Sequence, residues 1–198
     1  ANKKRDANVF AQICGQLIQT LHSKLKGEMN DLLYLLDSTP ISLKGLGYEW
    51  AEENANNRTC GLKVHMLYAP EIGLPSQIDI TYPRVGDLEH GKRVLLEEGA
   101  TYVFDKGYYD YNWWFRIHQE NAYFVTRLKR NAGIRVTKSH LISEEEAARG
   151  VMEDGIIEFK NRHPGGGRIN HYYGTKLRRV VAVREGHCPI VIVTNDLA

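Results

Sequence analysis

TYVFDKGYYDYNWWF, residues Thr101–Phe115, is the stretch on which the reading of the chain turns. Tyr102, Val103 and Phe104 have the β-branched and aromatic character of a short buried strand. Asp105 follows at once, then Lys106 and the flexible Gly107, then an aromatic run resembling the apolar face of a helix. A carboxylate at the carboxyl end of a buried strand stands where open α/β sheets keep their ligands. An Asp after a strand also serves as a helix cap, so the stretch by itself leaves Asp105 between ligand and cap. Periodicity predicts a helix over 109–120 and a further strand over Tyr123–Leu128. Arg127, Lys129 and Arg130 close that strand, on the carboxylate's side if the two strands run parallel, as candidate phosphate contacts. Trp113, Trp114 and Phe115 are either a base-stacking platform or core.

Upstream, the arrangement repeats. Leu32–Leu36 reads as a short buried strand, and Asp37-Ser38-Thr39-Pro40 is expected to end it. Two carboxylates at the ends of neighbouring strands repel unless a cation lies between them, and a divalent ion is the usual solution. Between the two sites, Leu62–Tyr68 and Ser76–Tyr82 read as a hairpin around Pro70–Pro75, with Ile78 and Ile80 inward. Lys63 and His65 alternate there with Val64 and Met66; His65 is either a metal ligand or a hydrogen-bonded structural histidine. Asp87 is expected to cap a helix over Leu88–Glu98, closed by Gly99. Before all of this, Val9, Ile13, Leu17, Leu21 and Leu25 mark an amphipathic packing helix over 6–26, and residues 44–60 read as a polar surface connection.

From residue 131 the character changes. Ser143 with Glu144, Glu145 and Glu146 starts a short helix closed by Gly150. Ile156–Lys160, Leu177–Arg184 and Pro189–Thr194 read as strands, and His163-Pro164-Gly165-Gly166-Gly167-Arg168 as a hairpin tip with a basic flank. The expected division is an N-terminal helix (1–30), an α/β core (31–130) and a β-rich insertion (131–198).

Composition sets outer bounds. The chain has 198 residues, 42% hydrophobic and 25% charged, enough for one sizeable core. No apolar run approaches the roughly 20 residues that span a bilayer, and the start shows no signal peptide. Cys14, Cys60 and Cys188 are too scattered for a disulfide framework or a zinc ribbon, and suit a reducing compartment. Net charge is only +2, but 11 Lys/Arg face 14 Asp/Glu in residues 1–105 and 15 face 10 in residues 106–198. The acidic half holds the candidate carboxylates and the basic half suits a polyanion.

Five pieces in order resemble the DDE transposases of bacterial insertion sequences, of the type called insertion sequence family four. They are Leu35-Leu36-Asp37-Ser38-Thr39 with Ile41-Ser42-Leu43, Gly61-Leu62-Lys63-Val64-His65, and Tyr102-Val103-Phe104-Asp105-Lys106-Gly107-Tyr108. Tyr123-Phe124-Val125-Thr126-Arg127-Leu128-Lys129 and Leu177-Arg178-Arg179 leading to Ile192-Val193-Thr194-Asn195 complete the set. The resemblance implies an α/β, ribonuclease-H-like mixed sheet with flanking helices, interrupted by a β-rich insertion after the second catalytic Asp. It implies two divalent ions, Mg²⁺ or Mn²⁺, on Asp37, Asp105 and a Glu, serving hydrolysis and strand transfer at transposon ends. Lys63, Lys106, Arg127, Lys129 and Arg130 are the DNA contacts it suggests, on terminal inverted repeats and target DNA. A homodimer on DNA and a bacterial, nucleoid-associated cytoplasmic location follow from the same likeness. The family's Glu sits on a helix with Tyr, two residues, Arg, three residues, Glu, six residues, Lys. That pattern is expected beyond Thr194-Asn195, where the sequence stops at Ala198. The chain therefore reads as a truncated catalytic domain whose third carboxylate lies elsewhere; Glu185, the nearest stand-in, reads as a turn residue. Two other readings stay open: a non-catalytic DNA-binding remnant using basic residues 127–130 and 176–179, and a ribonuclease-H-like nuclease of other nucleic acids.

Overall fold

The computed structural model describes residues 7–28, 32–43 and 60–198. The polar connection expected over 44–60 lies outside the described residues apart from Cys60, whose carbonyl accepts from the Leu43 N–H at 2.8 Å. The chain forms two compact units, Ala1–Arg93 and Val94–Ala198.

In the first unit, helix α1 (Ala7–Leu25) is followed by an antiparallel meander of β1 (Leu33–Ser42), β2 (Gly61–Ala69) and β3 (Leu74–Thr81). β1 does not end at Asp37. The ladder carries on through Asp37 opposite Met66 and Pro40 opposite Lys63 to Ser42 opposite Gly61. Proline removes one donor from a ladder, and the pairs on both sides of Pro40 hold the strand through it. Ile78 and Ile80, expected inward, are 37% and 65% exposed. The side chains that point in from this meander are Tyr34, Leu36, His65, Leu67 and Ala69. α1 lies against β3 but leaves Val9, Phe10, Ile13, Leu17 and Leu21 largely exposed, so its stripe is not core within this unit. Helix α2 covers only Asp87–Gly91 and not 88–98. Gly91 weakens helix by about 1 kcal/mol relative to Ala, and the backbone N–H of Glu97 finds the Tyr102 hydroxyl at 2.8 Å in place of a helical carbonyl.

The second unit is built on β4 (Thr101–Phe104) and β5 (Tyr123–Arg127), parallel neighbours joined through helix α3 (Tyr111–Gln119). β9 (Ile190–Thr194) lies antiparallel to β5, and β8 (Leu177–Ala182), β7 (Val151–Phe159) and β6 (Ile134–Ser139) follow outward, all antiparallel. The β-rich region after residue 131 thus continues the sheet through β9, with β6 as a strand not anticipated from sequence. Helix α4 (Glu144–Ala148) has the expected start: Ser143 and Glu146 form a reciprocal capping box.

The mixed α/β class expected from the sequence is what the chain adopts: an antiparallel meander, then a parallel strand–helix–strand crossover. α3 buries Trp113, Trp114 and Ile117. Phe104 lies 4.6 Å from Trp113 and Phe124 5.2 Å from Trp114, ring centre to ring centre. The tryptophans are core and present no platform for bases. Beyond the last β5–β9 pair, Asn195 extends the pairing with its side chain. The Phe124 N–H donates to its Oδ1 and its Nδ2 donates to the Ala122 carbonyl, both at 2.8 Å and both buried.

Replacing Asn195 by Ala strands that donor and acceptor, so Asn195→Ala is expected to cost about 2 kcal/mol. Denaturant unfolding monitored at the buried tryptophans measures it; a loss under a few tenths of a kcal/mol would remove Asn195 as a clamp.

Candidate functional site

Asp105 follows β4 directly, with an extended backbone at φ −89° and ψ −174°. Its Oδ1 accepts the Gly107 N–H at 2.6 Å, so it caps the short 3-10 turn Lys106–Tyr108. The cap of α3 itself is Asp110, which accepts from the Trp113 N–H at 2.8 Å. Capping therefore uses one oxygen of Asp105 and leaves Oδ2 toward solvent. Parallel pairing sets Phe104 opposite Thr126, so the residues after each strand emerge at one edge. There Arg127 faces Asp105 Oδ2 at 3.7 Å, with the two side chains 49% and 56% exposed. Lys129 stands over the Tyr109 ring, 4.2 Å from its centre. Burial and the neighbouring Tyr111 hydroxyl push Tyr109 far above the usual phenol range, so it stays neutral beneath that ammonium. Lys106 and Arg130 are exposed on the flanking turns.

Asp37 belongs to the first unit. It occupies the exposed side of β1, and among the described residues no hydrogen bond or ion pair reaches its carboxylate. Its neighbour Ser38 points the other way and donates to Asp87 Oδ1 at 2.5 Å. Asp87 is not a helix cap: it takes Lys63 Nζ at 2.5 Å, and Lys63 also donates to the Val85 carbonyl at 3.3 Å. Burial alone would raise the Asp87 carboxyl, but the Lys63 ammonium and the Ser38 hydroxyl hold it below its ordinary value. Lys63, only 13% exposed and already paired, is thereby withdrawn from the surface contacts proposed for it.

On the same side, His65 of β2 meets His90 of α2. His65 is fully buried and stacks on His90, ring centres 4.0 Å apart. The Thr81 hydroxyl donates to the Tyr82 carbonyl and so accepts from His65 Nε2–H at 3.0 Å. His90 Nε2 bonds Asp79 at 2.8 Å. Burial, then His90 and Lys63, lower the His65 pKa to about 4, so at neutral pH it is an uncharged structural histidine. Among the described residues, no three His, Cys, Asp or Glu side chains converge as a metal cage. Sequence reasoning missed this network. Its signal was the period-2 pairing of Lys63 and His65 with Ser38, Asp79 and Thr81 on one face.

The basic run 176–179 also resolves. Arg178 forks onto Asp154, Nη2 to Oδ2 at 2.6 Å, and Arg179 pairs with Glu153 at 2.6 Å. Asp154, chiefly through Arg178, is held below the usual carboxylate range. Both arginines brace β7 to β8. The structure thus brings Asp105, Arg127 and Lys129 to one edge, sets Asp37 in the other unit, and turns Lys63 inward.

Residues 29–187 match the model of the transposase DDE domain. The chain belongs to the DDE transposase family. It is 36% identical over 197 residues to the Sinorhizobium fredii (strain NBRC 101917 / NGR234) protein named "Putative transposase y4zB", covering 99% of this chain. The chain spans about half of that relative, 53% of its length. Among solved structures, the piggyBac transposase synaptic complex with hairpin DNA matches at a TM-score of 0.49 and 9% identity, over 98% of this chain and 41% of that one. No helix among the described residues is long and apolar enough to cross a membrane.

The geometry separates two kinds of carboxylate by stability. Asp87→Ala, which leaves Lys63 without a counter-ion, is expected to cost about 3 kcal/mol, whereas Asp37→Ala stays within about 0.5 kcal/mol of the parent. Urea titrations of both variants check this, and equal costs would refute the division.

Proposed function

We propose that the chain is catalytic-domain sequence of a DNA transposase, acting by metal-dependent phosphodiester hydrolysis and strand transfer at transposon ends. The observation that carries this reading is Asp105: a carboxylate at the end of a parallel strand, half exposed, with one oxygen uncommitted beside an arginine. Family membership and the exposed Asp37 support it. In this reading residues 31–130 form a ribonuclease-H-like core and 131–198 a β-rich insertion.

Hard divalent cations take carboxylate oxygen, and Asp37 and Asp105 are two such donors free of tight ion pairs among the described residues. Mg²⁺ or Mn²⁺ held by them and by a further carboxylate would activate water and stabilise the attacking and leaving oxygens of an in-line displacement. Glu185 is a poor third ligand, exposed in the turn between β8 and β9. The chain's own groups supply the rest. The Gly107 N–H fixes the Asp105 carboxylate, while Arg127, only loosely paired at 3.7 Å, is free to turn onto a phosphate. Lys129, steadied by the Tyr109 ring, is a second phosphate donor, with Lys106 and Arg130 on its flanks. Double-stranded DNA, at terminal inverted repeats and then at a target, is the proposed partner, with a homodimer on paired ends as the working assembly in the bacterial nucleoid.

The test uses the natural full-length protein, Mg²⁺ and a DNA fragment carrying its inverted repeat. Nicking at the repeat end is expected, falling to the level seen with EDTA in both Asp37→Asn and Asp105→Asn. Undiminished nicking in either variant contradicts the assignment of that residue.

A further inference from the structure

Between Glu158 and Glu185 the sequence has no acidic residue, yet it carries Lys160, Arg162, Arg168, Lys176, Arg178, Arg179 and Arg184. The two arginines on β8 are spent on Asp154 and Glu153. Among the described residues, none of Lys160, Arg162, Arg168 and Lys176 makes an ion pair. These four bracket the connection from β7 to β8, residues 160–176.

That connection is a built loop. Its Asn170 N–H donates to the Arg162 carbonyl at 2.8 Å, closing the loop upon itself. Tyr172 is fully buried, packing its ring edge against Phe124 at 6.1 Å. At the tip, Gly165 and Gly166 have φ +64° and +72°, a left-handed backbone that a side chain would strain. Asn112, in the first turn of α3, clips the loop from below. Its Nδ2 donates to the Ile169 carbonyl and its Oδ1 accepts the His171 N–H, both at 2.9 Å.

A cavity of about 290 Å³ lies between the loop and the start of α3, lined by Tyr109, Tyr111, Asn112, Arg168 and Asn170, with Asp110 on its wall. Asp110 is occupied as the cap of α3. Asn170 is 3% exposed, and its Nδ2 is a buried donor without a partner. Tyr109 is also the ring beneath Lys129. Tyr109 therefore lies between Lys129 on one side and the loop's Arg168 on the other.

We propose that loop 160–176 is a second DNA-contact surface, in which Arg162 and Arg168 pair with backbone phosphates and Asn112 holds the loop in place to do so. The proposal rests on the transposase reading for its partner, but not on the catalytic roles of Asp37 and Asp105. Neutralising phosphates releases counterions, so each contact adds close to one to the slope of log K against log salt.

The test measures affinity for a 30-base-pair duplex of mixed sequence, by fluorescence anisotropy in EDTA, across a salt series. For Arg162→Ala with Arg168→Ala, the slope is expected to fall by about 1.8, with weaker binding to every sequence tried. Asn112→Ala, which releases the loop from α3, is expected to lower affinity for every sequence tried. Circular dichroism and thermal melting establish that each variant is folded. A slope within about 0.3 of the parent's overturns the proposal while leaving the catalytic reading intact. If the parent chain binds no duplex at all, both the loop's role and the DNA partner fall; metal binding at the aspartates then stands or falls separately.

Discussion

The parallel pairing of β4 with β5 is the constraint on which the second unit depends. Parallel neighbours need a crossover, and here α3 supplies it by burying Trp113, Trp114 and Ile117. Aromatic packing of this kind contributes several kcal/mol. The exposed pair of Arg127 and Asp105 at 3.7 Å contributes at most about 1 kcal/mol. Packing therefore places the two charges together, and their attraction does not. Asp105 and Arg127 are neighbours because the strands beneath them run the same way, which leaves both groups available for other partners.

The first unit shows the opposite use of charge. Ser38, Lys63 and Asp87 form a part-buried set in which the Ser38 hydroxyl and the Lys63 ammonium both meet Asp87 Oδ1. His65 and His90 stack beside it. Removing one member exposes the rest to the cost of an unpaired buried group, so this set braces the strand that carries Asp37. Alternation along β1 divides the labour between adjacent residues: Ser38 points into the brace and Asp37 points out.

Much of this was legible in the chain. The strand–Asp–helix–strand unit at 101–128 announced itself because its elements are short and strongly patterned. α1, β2, β8, β9 and the start of α4 at Ser143 were equally clear. β1 was cut short because Asp, Ser and Pro ordinarily end strands, while here pairing with β2 outweighs that preference. α2 was overextended because Val94 and Leu96 fit a helical face, though Gly91 ends the helix first. β6 escaped because its apolar alternation is only two residues long, Ile134 and Val136, on a strand that is mostly exposed. Among site residues, the chemistry of Asp105 was readable but the fate of Lys63 was not. Whether a lysine on a strand meets solvent or a carboxylate depends on Asp87, 24 residues on in the numbering of the chain. The Asn112 clip was hidden for the same reason: its partners lie 57 and 59 residues away.

The proposal that carries most weight is that Asp37 and Asp105 are both ligands of a divalent metal. Iron-directed cleavage tests it most directly: Fe²⁺ is substituted for Mg²⁺, ascorbate and peroxide are added, and the chain is cut where the metal sits. The account predicts cuts beside both residue 37 and residue 105, suppressed by excess Mg²⁺ and lost together in Asp105→Asn. Cuts at only one of the two places, or cuts that persist in that variant, would contradict it.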